Sequence, residues 1–249
     1  MIYIVKHKDW HNKVPDGYAE VWVGNLEARN NSKERNTVSN NLVKLHERNA
    51  IVCAPLPVQP KEAATQSKPS INHLNPFLNE ATALYDIWKN KADEIVGMCH
   101  YRRFFKHEGK ILPFEVAGGI IGNGGAIIVS AEEGNDCSCH DYCRREYGRN
   151  AFDKYFAMLK AIDPNAAQWF KTATRFYARE MFVCHHKDMN RFCNPLFRCV
   201  LPMAEKFMKE DNGQRGVNKR LIGYMTERLF SYYVSKSELV IKPMGWMWG

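Results

Sequence analysis

The sequence lacks the features that place a chain in a membrane or outside the cell. No segment approaches the roughly 18 to 20 continuous apolar residues that a membrane-spanning helix needs, and the most apolar stretch, 116–130, contains five glycines and an asparagine. The N-terminal segment has no basic region ahead of an apolar run, as a secretory signal would. The eight cysteines are scattered along a chain long enough to bury a core without disulfides. These absences predict a cytoplasmic protein with reduced thiols.

Three common ligand-binding patterns are also missing. No Asp-x-Asp occurs in the chain. The glycines of 118–125 precede a predicted strand, which is the reverse of a dinucleotide-binding fingerprint. Cys137, Cys139, His140 and Cys143 offer four soft metal ligands but lack a second paired group at zinc spacing, so we interpret them as reduced surface cysteines in a loop. We therefore expect no metal site and no cofactor.

The composition indicates a globular protein with an anionic partner. The 249 residues are 45% hydrophobic and 25% charged, and 35 Lys and Arg against 27 Asp and Glu give a net charge of +8. Such proportions suit one domain over 1–249. Nucleic acid, a phosphate-bearing small molecule and an anionic membrane surface all fit the positive charge.

Short β-rich runs alternate with stretches of helical period, which predicts an α/β fold with a mostly parallel central sheet flanked by helices. The predicted strands are 2–5, 18–23, 51–54, 94–99, 126–130, 181–184 and 239–242. One helix is predicted over 79–91, with Asn79 as its N-cap and Pro76 preventing an earlier start. Another is predicted to open at Asn194-Pro195 and to kink or break at Pro202.

Two polar segments, about 30–49 and 55–76, interrupt this alternation. They are interpreted as loop insertions, either plain surface loops or a flap over a ligand. The last residues, 243–249, form an aromatic tail. Packing on the body of the protein, a sugar-stacking platform, a membrane-interface anchor and an oligomer contact all remain open for the tail.

The most informative run is EIVGMCHYRRFF, at 94–105. An apolar strand ends there in two adjacent arginines, Arg102 and Arg103. In open α/β sheets, ligands bind beyond the carboxyl ends of the strands, and guanidinium groups suit phosphate oxygens. The alternative is a solvated basic loop whose arginines pair with nearby acids.

Several segments together resemble the DUF4422 family of bacterial and phage glycosyltransferases. The matching patterns are N-P-x-x-x-E-x-T-A-L-Y-x-x-W-K-N, then G-x-C-H-Y-R-R-F-F, the opening IYIVKHKDW, the strands at 126–130 and 181–184, and GYMTERLFSYYV at 223–234. Members are associated with the synthesis of capsule, exopolysaccharide and lipopolysaccharide. The resemblance implies a GT-A-like fold, a nucleotide-sugar donor such as a UDP-sugar, and a surface glycan or lipid-linked acceptor.

The resemblance also suggests roles for individual residues. Arg102 and Arg103 would stabilise the departing diphosphate in place of a metal ion, and Glu227 would be the general base, with Glu80 in reserve. An ion pair of Glu227 with Arg228 or Arg220 is the alternative. The residues assigned to donor binding are Lys6, His7, Lys8, Glu80, His100, Tyr101 and Arg228.

Two departures from the family pattern leave the sugar open. An acidic segment common in the family is replaced by AATQSKPSIN, and Glu180 stands where Asn is common. The basic groups Arg144-Arg145-Arg149 and Arg215-Lys219-Arg220 also admit DNA as the acceptor. Peripheral contact with anionic lipid and a non-catalytic glycan- or nucleic-acid-binding module are further alternatives.

Overall fold

The computed structural model describes residues 1–7, 13–23, 69–212, 214 and 216–249, together with the backbone of 50–52. The predicted insertion at 30–49 lies outside the described residues, as does most of the insertion at 55–76. The described end of the second insertion is not a loop throughout, because it contains a 3-10 turn over Asn72–Leu74 and the start of a helix.

The elements alternate along the chain as predicted. The strands are β1 (Ile2–Lys6), β2 (Tyr18–Trp22), β3 (Ala50–Val52), β4 (Ile95–His100), β5 (Arg103–His107), β6 (Lys110–Ile111), β7 (Ala126–Ser130), β8 (Glu132–Gly134), β9 (Arg175–Tyr177), β10 (Phe182–His185), β11 (Val240–Met244) and β12 (Trp246–Trp248). The helices are α1 (Asn75–Leu78), α2 (Ala81–Asn90), α3 (Phe114–Ile121), α4 (Cys139–Tyr147), α5 (Arg149–Ile162), α6 (Pro164–Thr172), α7 (Asn190–Glu210) and α8 (Leu221–Ser235).

The central sheet confirms the predicted fold class. Its main path has the order β11-β7-β10-β4-β1-β2-β3. The pairs β11–β7, β4–β1, β1–β2 and β2–β3 are parallel, and β10 is antiparallel to both of its neighbours. A branch of β5, β6 and β12 continues from the end of β4.

Side chains alternate between two buried layers along the central strands, because successive residues of a strand face opposite sides of the sheet. Tyr3 and Val5 of β1 pack in the larger layer with α2, α7 and α8. Ile2 and Ile4 pack in the smaller layer with α3 and β5. Burial on both faces explains why β1 is apolar at four consecutive positions.

Two predicted helix boundaries are wrong. Asn79 is not an N-cap, because the chain already turns through α1 with Pro76 in its first turn, and Glu80 occupies the N-cap position of α2 without a side-chain capping bond. The helix expected from Asn194 begins at Asn190, and Pro202 does not break it. Pro202 and Arg198 both lie on the exposed face of α7, so water can reach the Arg198 carbonyl that Pro202 leaves without a donor.

Gly97 lies where strands β4 and β10 approach each other closely, and its substitution tests the importance of that packing. A Cβ atom there would lie 2.7 Å from the carbonyl oxygen of Phe182 in β10 and 2.9 Å from Val183 Cγ2. Because a neighbouring backbone cannot easily yield, Gly97→Ala is expected to lower the free energy of unfolding by about 1–3 kcal/mol in urea denaturation. Gly119→Ala is the control, since a Cβ in that exposed turn of α3 meets no atom within 4 Å and should be neutral or stabilising. Equal effects of the two substitutions would contradict this explanation.

Candidate functional site

A cavity of about 390 Å³ opens beyond the carboxyl ends of β1 and β4. These strands are neighbours, yet the chain leaves β1 towards β2 and β3 before it returns to β4 on the other side of β1. Ligands of open α/β sheets bind at such switch points, because the connecting segments diverge there and leave a crevice. We call this space the first cavity. Its lining residues are His7, Leu78, Asn79, Glu80, His100, Tyr101, Arg102, Arg103, Glu133, Arg179, Glu180, Arg220, Gly223, Tyr224 and Glu227.

Four arginines from three parts of the chain line the first cavity. Arg102 and Arg103 follow β4, Arg179 precedes β10, and Arg220 precedes α8. Arg220 Nε donates to Asn79 Oδ1 at 2.9 Å. The absence of a side chain at Gly223 gives Asn79 its place, since a Cβ there would overlap the Asn79 amide. The site therefore brings four guanidinium groups to the place where the fold leaves room for a ligand, beside the carboxyl groups of the four glutamates in the same lining.

Arg103 is partly buried and lies near the positive charges of Arg102 and Arg179. Its buried Nε has no hydrogen-bond partner among the described residues. Burial lowers the pKa of the Arg103 guanidinium, and the positive charges of Arg179 and Arg102 lower it further. An anion in the cavity would relieve both the repulsion and the unmet hydrogen bond.

A strained turn over Ala178–Glu180 organises the opposite wall. Arg179 and Glu180 both have positive φ, at 70° and 52°, and residues other than glycine adopt such angles at a cost. The Arg179 N–H donates to Glu227 Oε1 at 2.6 Å, and the Arg179 carbonyl accepts from His100 Nε2 at 2.6 Å. Since a carbonyl can only accept, Nε2 carries the proton, and Nδ1 of the same ring lies 3.7 Å from Glu80 Oε1.

The aromatic residues at 246–248 pack against the arginines. Strand β12 pairs antiparallel with β5. The Arg179 guanidinium carbon lies 4.3 Å from the Trp246 ring centroid, and that of Arg103 lies 5.1 Å from the Trp248 ring. Such cation–π contacts fix a guanidinium without neutralising its charge. Trp248 itself is 59% exposed.

Seven of the predicted site residues line the first cavity: His7, Glu80, His100, Tyr101, Arg102, Arg103 and Glu227. Lys6 does not, because it is buried in an ion pair with Glu20 at 2.5 Å. Arg228 is also buried beside the first cavity, with its guanidinium over the rings of Tyr142 and Phe176. Lys8 lies outside the described residues.

Sequence reasoning missed Arg179, Glu133 and Tyr224 as lining residues. Arg179 reaches the site only because β10 runs antiparallel to β4, which places the residues before β10 beside the end of β4. A sequence reading that assumes parallel strands puts them at the opposite edge of the sheet. The pair Arg179-Glu180 directly before a buried apolar strand was the available signal.

This sequence and this fold are similar to those of known proteins. The profile of a family described as "Domain of unknown function (DUF4422)" matches residues 62–238. The chain belongs to the DUF4422 family. A solved structure described as the apo form of the bifunctional glycosyltransferase WbbM has a similar fold, with a TM-score of 0.70 and 20% sequence identity. The match covers 99% of this chain and 45% of the WbbM chain, so this chain spans less than half of that protein. No match was found among curated proteins.

The cysteine cluster of this DUF4422 chain differs from the prediction. Cys139 and Cys143 are buried on the inner side of α4, and only Cys137 is partly exposed. Burial raises the pKa of the Cys139 thiol to about 11 and that of Cys143 to about 12. In the described part of the chain, no group of three or more His, Cys, Asp or Glu side chains is placed to hold a metal ion. The two buried thiols are packing residues, which the loop interpretation did not foresee.

The basic groups are only partly available to a partner. Arg144 pairs with Asp153 at 2.7 Å, and Arg145 pairs with Asp136 at 3.1 Å and with Glu146 at 2.8 Å. Arg215 lies outside the described residues. Within the described ranges, no helix is both long enough and apolar enough to cross a bilayer.

Glu180 gives the site a testable pH dependence. It is 4% exposed, and burial, aided by the charges of Glu80 and Glu227, raises the pKa of its carboxyl well above the usual value. The folded chain therefore retains a proton that the unfolded chain loses above about pH 4.3, so stability falls as pH rises through that window, by up to about 1.4 kcal/mol per pH unit. Glu180→Gln should remove this loss and unfold at a higher temperature than wild type, by a margin that grows as the pH rises from about 4.3 towards the raised pKa of the carboxyl in the folded chain.

Thermal unfolding of both proteins at several pH values measures the effect. Glu205→Gln, at an exposed position of α7, is the control and should leave the pH profile of wild type unchanged. A constant difference between Glu180→Gln and wild type across the pH range would show that Glu180 is ionised in the folded chain.

Proposed function

We propose that this chain is a glycosyltransferase that moves a sugar from a nucleotide-sugar donor, most simply a UDP-sugar, to a hydroxyl group of a glycan or lipid-linked acceptor. The observation that carries the proposal is the group of four arginines around the cavity at the β1–β4 switch point. The fold shared with a bifunctional glycosyltransferase supports it, because fold alone does not define an activity but narrows the chemistry to be tested.

The diphosphate of the donor is the group that best fits the arginine side of the first cavity. Arg102 is exposed and Arg103 is half-buried, so one guanidinium can meet the entering anion while the other holds it inside. Negative charge grows on the diphosphate as the sugar leaves, and fixed cations stabilise that charge without having to reorganise. We propose that these arginines do what a metal ion bound to Asp-x-Asp does elsewhere, since the chain has no such motif.

Glu227 is placed to act as the general base. The Arg179 N–H fixes one carboxylate oxygen, the second lies 3.4 Å from Arg228 Nη1, and the side chain keeps 23% of its surface exposed. In the proposed step, the acceptor hydroxyl gives its proton to Glu227 and its oxygen bonds to the anomeric carbon. The bond from that carbon to the diphosphate oxygen breaks, and its electron pair leaves with the nucleotide diphosphate.

Replacement of both strand-end arginines tests donor binding. Wild type is expected to show a rise in melting temperature with at least one of UDP-, GDP-, CMP- and dTDP-sugars, because ligand binding stabilises the folded state. Arg102→Ala/Arg103→Ala should lose that rise and release nucleotide about 100- to 1,000-fold more slowly. Arg198→Ala/Lys209→Ala removes two exposed positive charges from α7 and is the matched control.

The same measurements in EDTA test the role assigned to the arginines. Binding and nucleotide release should be equal with EDTA, Mg²⁺ or Mn²⁺. Activity that vanishes in EDTA and returns with a metal would refute the metal-independent mechanism, whereas no shift with any nucleotide sugar would refute the transferase assignment. Donor binding without nucleotide release would indicate a non-catalytic module.

Glu227→Gln tests the general base with little change in structure. The amide oxygen can still accept from the Arg179 N–H, so the melting temperature should stay near that of wild type. The turnover number for transfer should fall about 100- to 10,000-fold, since an amide cannot take the proton. A variant that keeps wild-type turnover would remove Glu227 from this role.

A further inference from the structure

We infer that a second cavity, beside the first, binds the acceptor as a neutral saccharide. The inference rests on the proposed function, because it assigns the second substrate of the same reaction. The second cavity has a volume of about 470 Å³ and is lined by Glu133, Gly134, Asn135, Asp136, Tyr142, Tyr147, Phe176, Tyr224, Glu227 and Arg228. Both its position and its chemistry point to an acceptor.

The two cavities meet at Glu227. Glu133, Tyr224 and Glu227 line both of them, so a ligand in either space reaches the same carboxylate. A transfer reaction needs this arrangement, because the reacting hydroxyl must lie within hydrogen-bond reach of the base and also face the anomeric carbon of the donor. No other residue proposed here for chemistry borders both spaces.

The wall of the second cavity is aromatic. Tyr147 and Tyr224 stack with ring centroids 4.1 Å apart and planes 7° apart, and the Tyr142 ring lies 6.1 Å from that of Tyr147. Phe176 continues the wall. Broad aromatic faces with polar edges suit a ligand that has both C–H surfaces and hydroxyl groups, as a sugar ring does.

The charge of the second cavity disfavours an anionic ligand. Carboxylates of Glu133, Asp136 and Glu227 line it and can accept hydrogen bonds from hydroxyl groups. The cation in the lining, Arg228, is 3% exposed, and its Nη1 donates to the Tyr224 carbonyl at 2.9 Å. The three carboxylates each have an arginine partner, in the pairs Glu133–Arg179, Asp136–Arg145 and Glu227–Arg228, so these guanidinium groups are already engaged. A phosphodiester backbone would meet these carboxylates at close range, whereas a neutral sugar would be hydrogen-bonded by them.

Direct binding of model acceptors tests the inference. The probes are the p-nitrophenyl glucosides, galactosides and mannosides of both anomers, with p-nitrophenyl glucuronide as the anionic counterpart and a single-stranded DNA oligonucleotide as the polyanion. Dissociation constants are measured by saturation-transfer NMR, with the protein holding the nucleoside diphosphate of the nucleotide sugar that gives the largest thermal shift, so that no sugar is transferred during the measurement. At least one neutral glycoside should bind, and more tightly than the glucuronide or the oligonucleotide.

Two variants locate the binding. Gly134→Phe fills the cavity without removing a contact, because a Cβ there meets no atom closer than 3.8 Å. Tyr147→Ala removes the stacked ring. Each should weaken binding of the neutral glycoside at least tenfold. Gly119→Phe adds the same side chain to an exposed turn of α3 and should not change the affinity, which controls for a non-specific effect of the added ring.

The possible failures are distinguishable. If no nucleotide sugar shifts the melting temperature of wild type, the proposed function fails. If a nucleotide sugar binds but no neutral glycoside does, if the polyanion or the glucuronide binds more tightly, or if both variants bind the glycoside as wild type does, the acceptor assignment alone is overturned.

Discussion

The geometry of the candidate site depends on the backbone of one residue, Arg179. Its N–H holds Glu227 of α8, and its carbonyl holds the imidazole of His100 at the end of β4. The two peptide groups of Arg179 thus connect helix α8 to the end of strand β4 across the first cavity. The cost is two adjacent non-glycine residues with positive φ. The two hydrogen bonds of 2.6 Å, one to Glu227 and one from His100, offset the conformational strain of these residues.

The same turn determines how charge is distributed. It carries the Arg179 guanidinium into the cavity, where Trp246 covers one face and Glu133 pairs with it. It also buries the Glu180 carboxyl, and burial, aided by the charges of Glu80 and Glu227, raises the pKa of that carboxyl. As long as Glu180 keeps its proton, it adds no negative charge to the cavity that the arginines line. An ionised Glu180 would offset part of their positive charge and would repel Glu227, the proposed base. The predicted loss of stability with rising pH would be a consequence of this arrangement.

The sequence predicts the strand-end part of the site well and the rest poorly. Apolar runs identify β1 and β4, and parallel order then brings His7 and the Arg102-Arg103 pair to one edge of the sheet. Arg179 enters because β10 is antiparallel, and no local pattern distinguishes a buried antiparallel strand from a parallel one. Lys6 is an error of the opposite kind. Its position at the end of β1 predicts a contact with the donor, but its side chain is buried in an ion pair with Glu20. Packing also determines the role of Cys139 and Cys143. Their spacing resembles a metal motif, but both lie on the face of α4 that packs against the core.

The two cavities have different linings, as the proposed transfer reaction would require. Four arginines line the first together with four glutamates, whereas aromatic rings, three carboxylates and the buried Arg228, mostly from helices α4 and α8 and strands β8 and β9, line the second. In the proposed reaction, the diphosphate of the donor would bind the arginines of the first cavity, and a neutral acceptor would bind the aromatic rings of the second. Under the proposed function both ligands would reach Glu227, which lines the two cavities. Specificity for the class of acceptor would then follow from repulsion of the wrong ligand as much as from attraction of the right one.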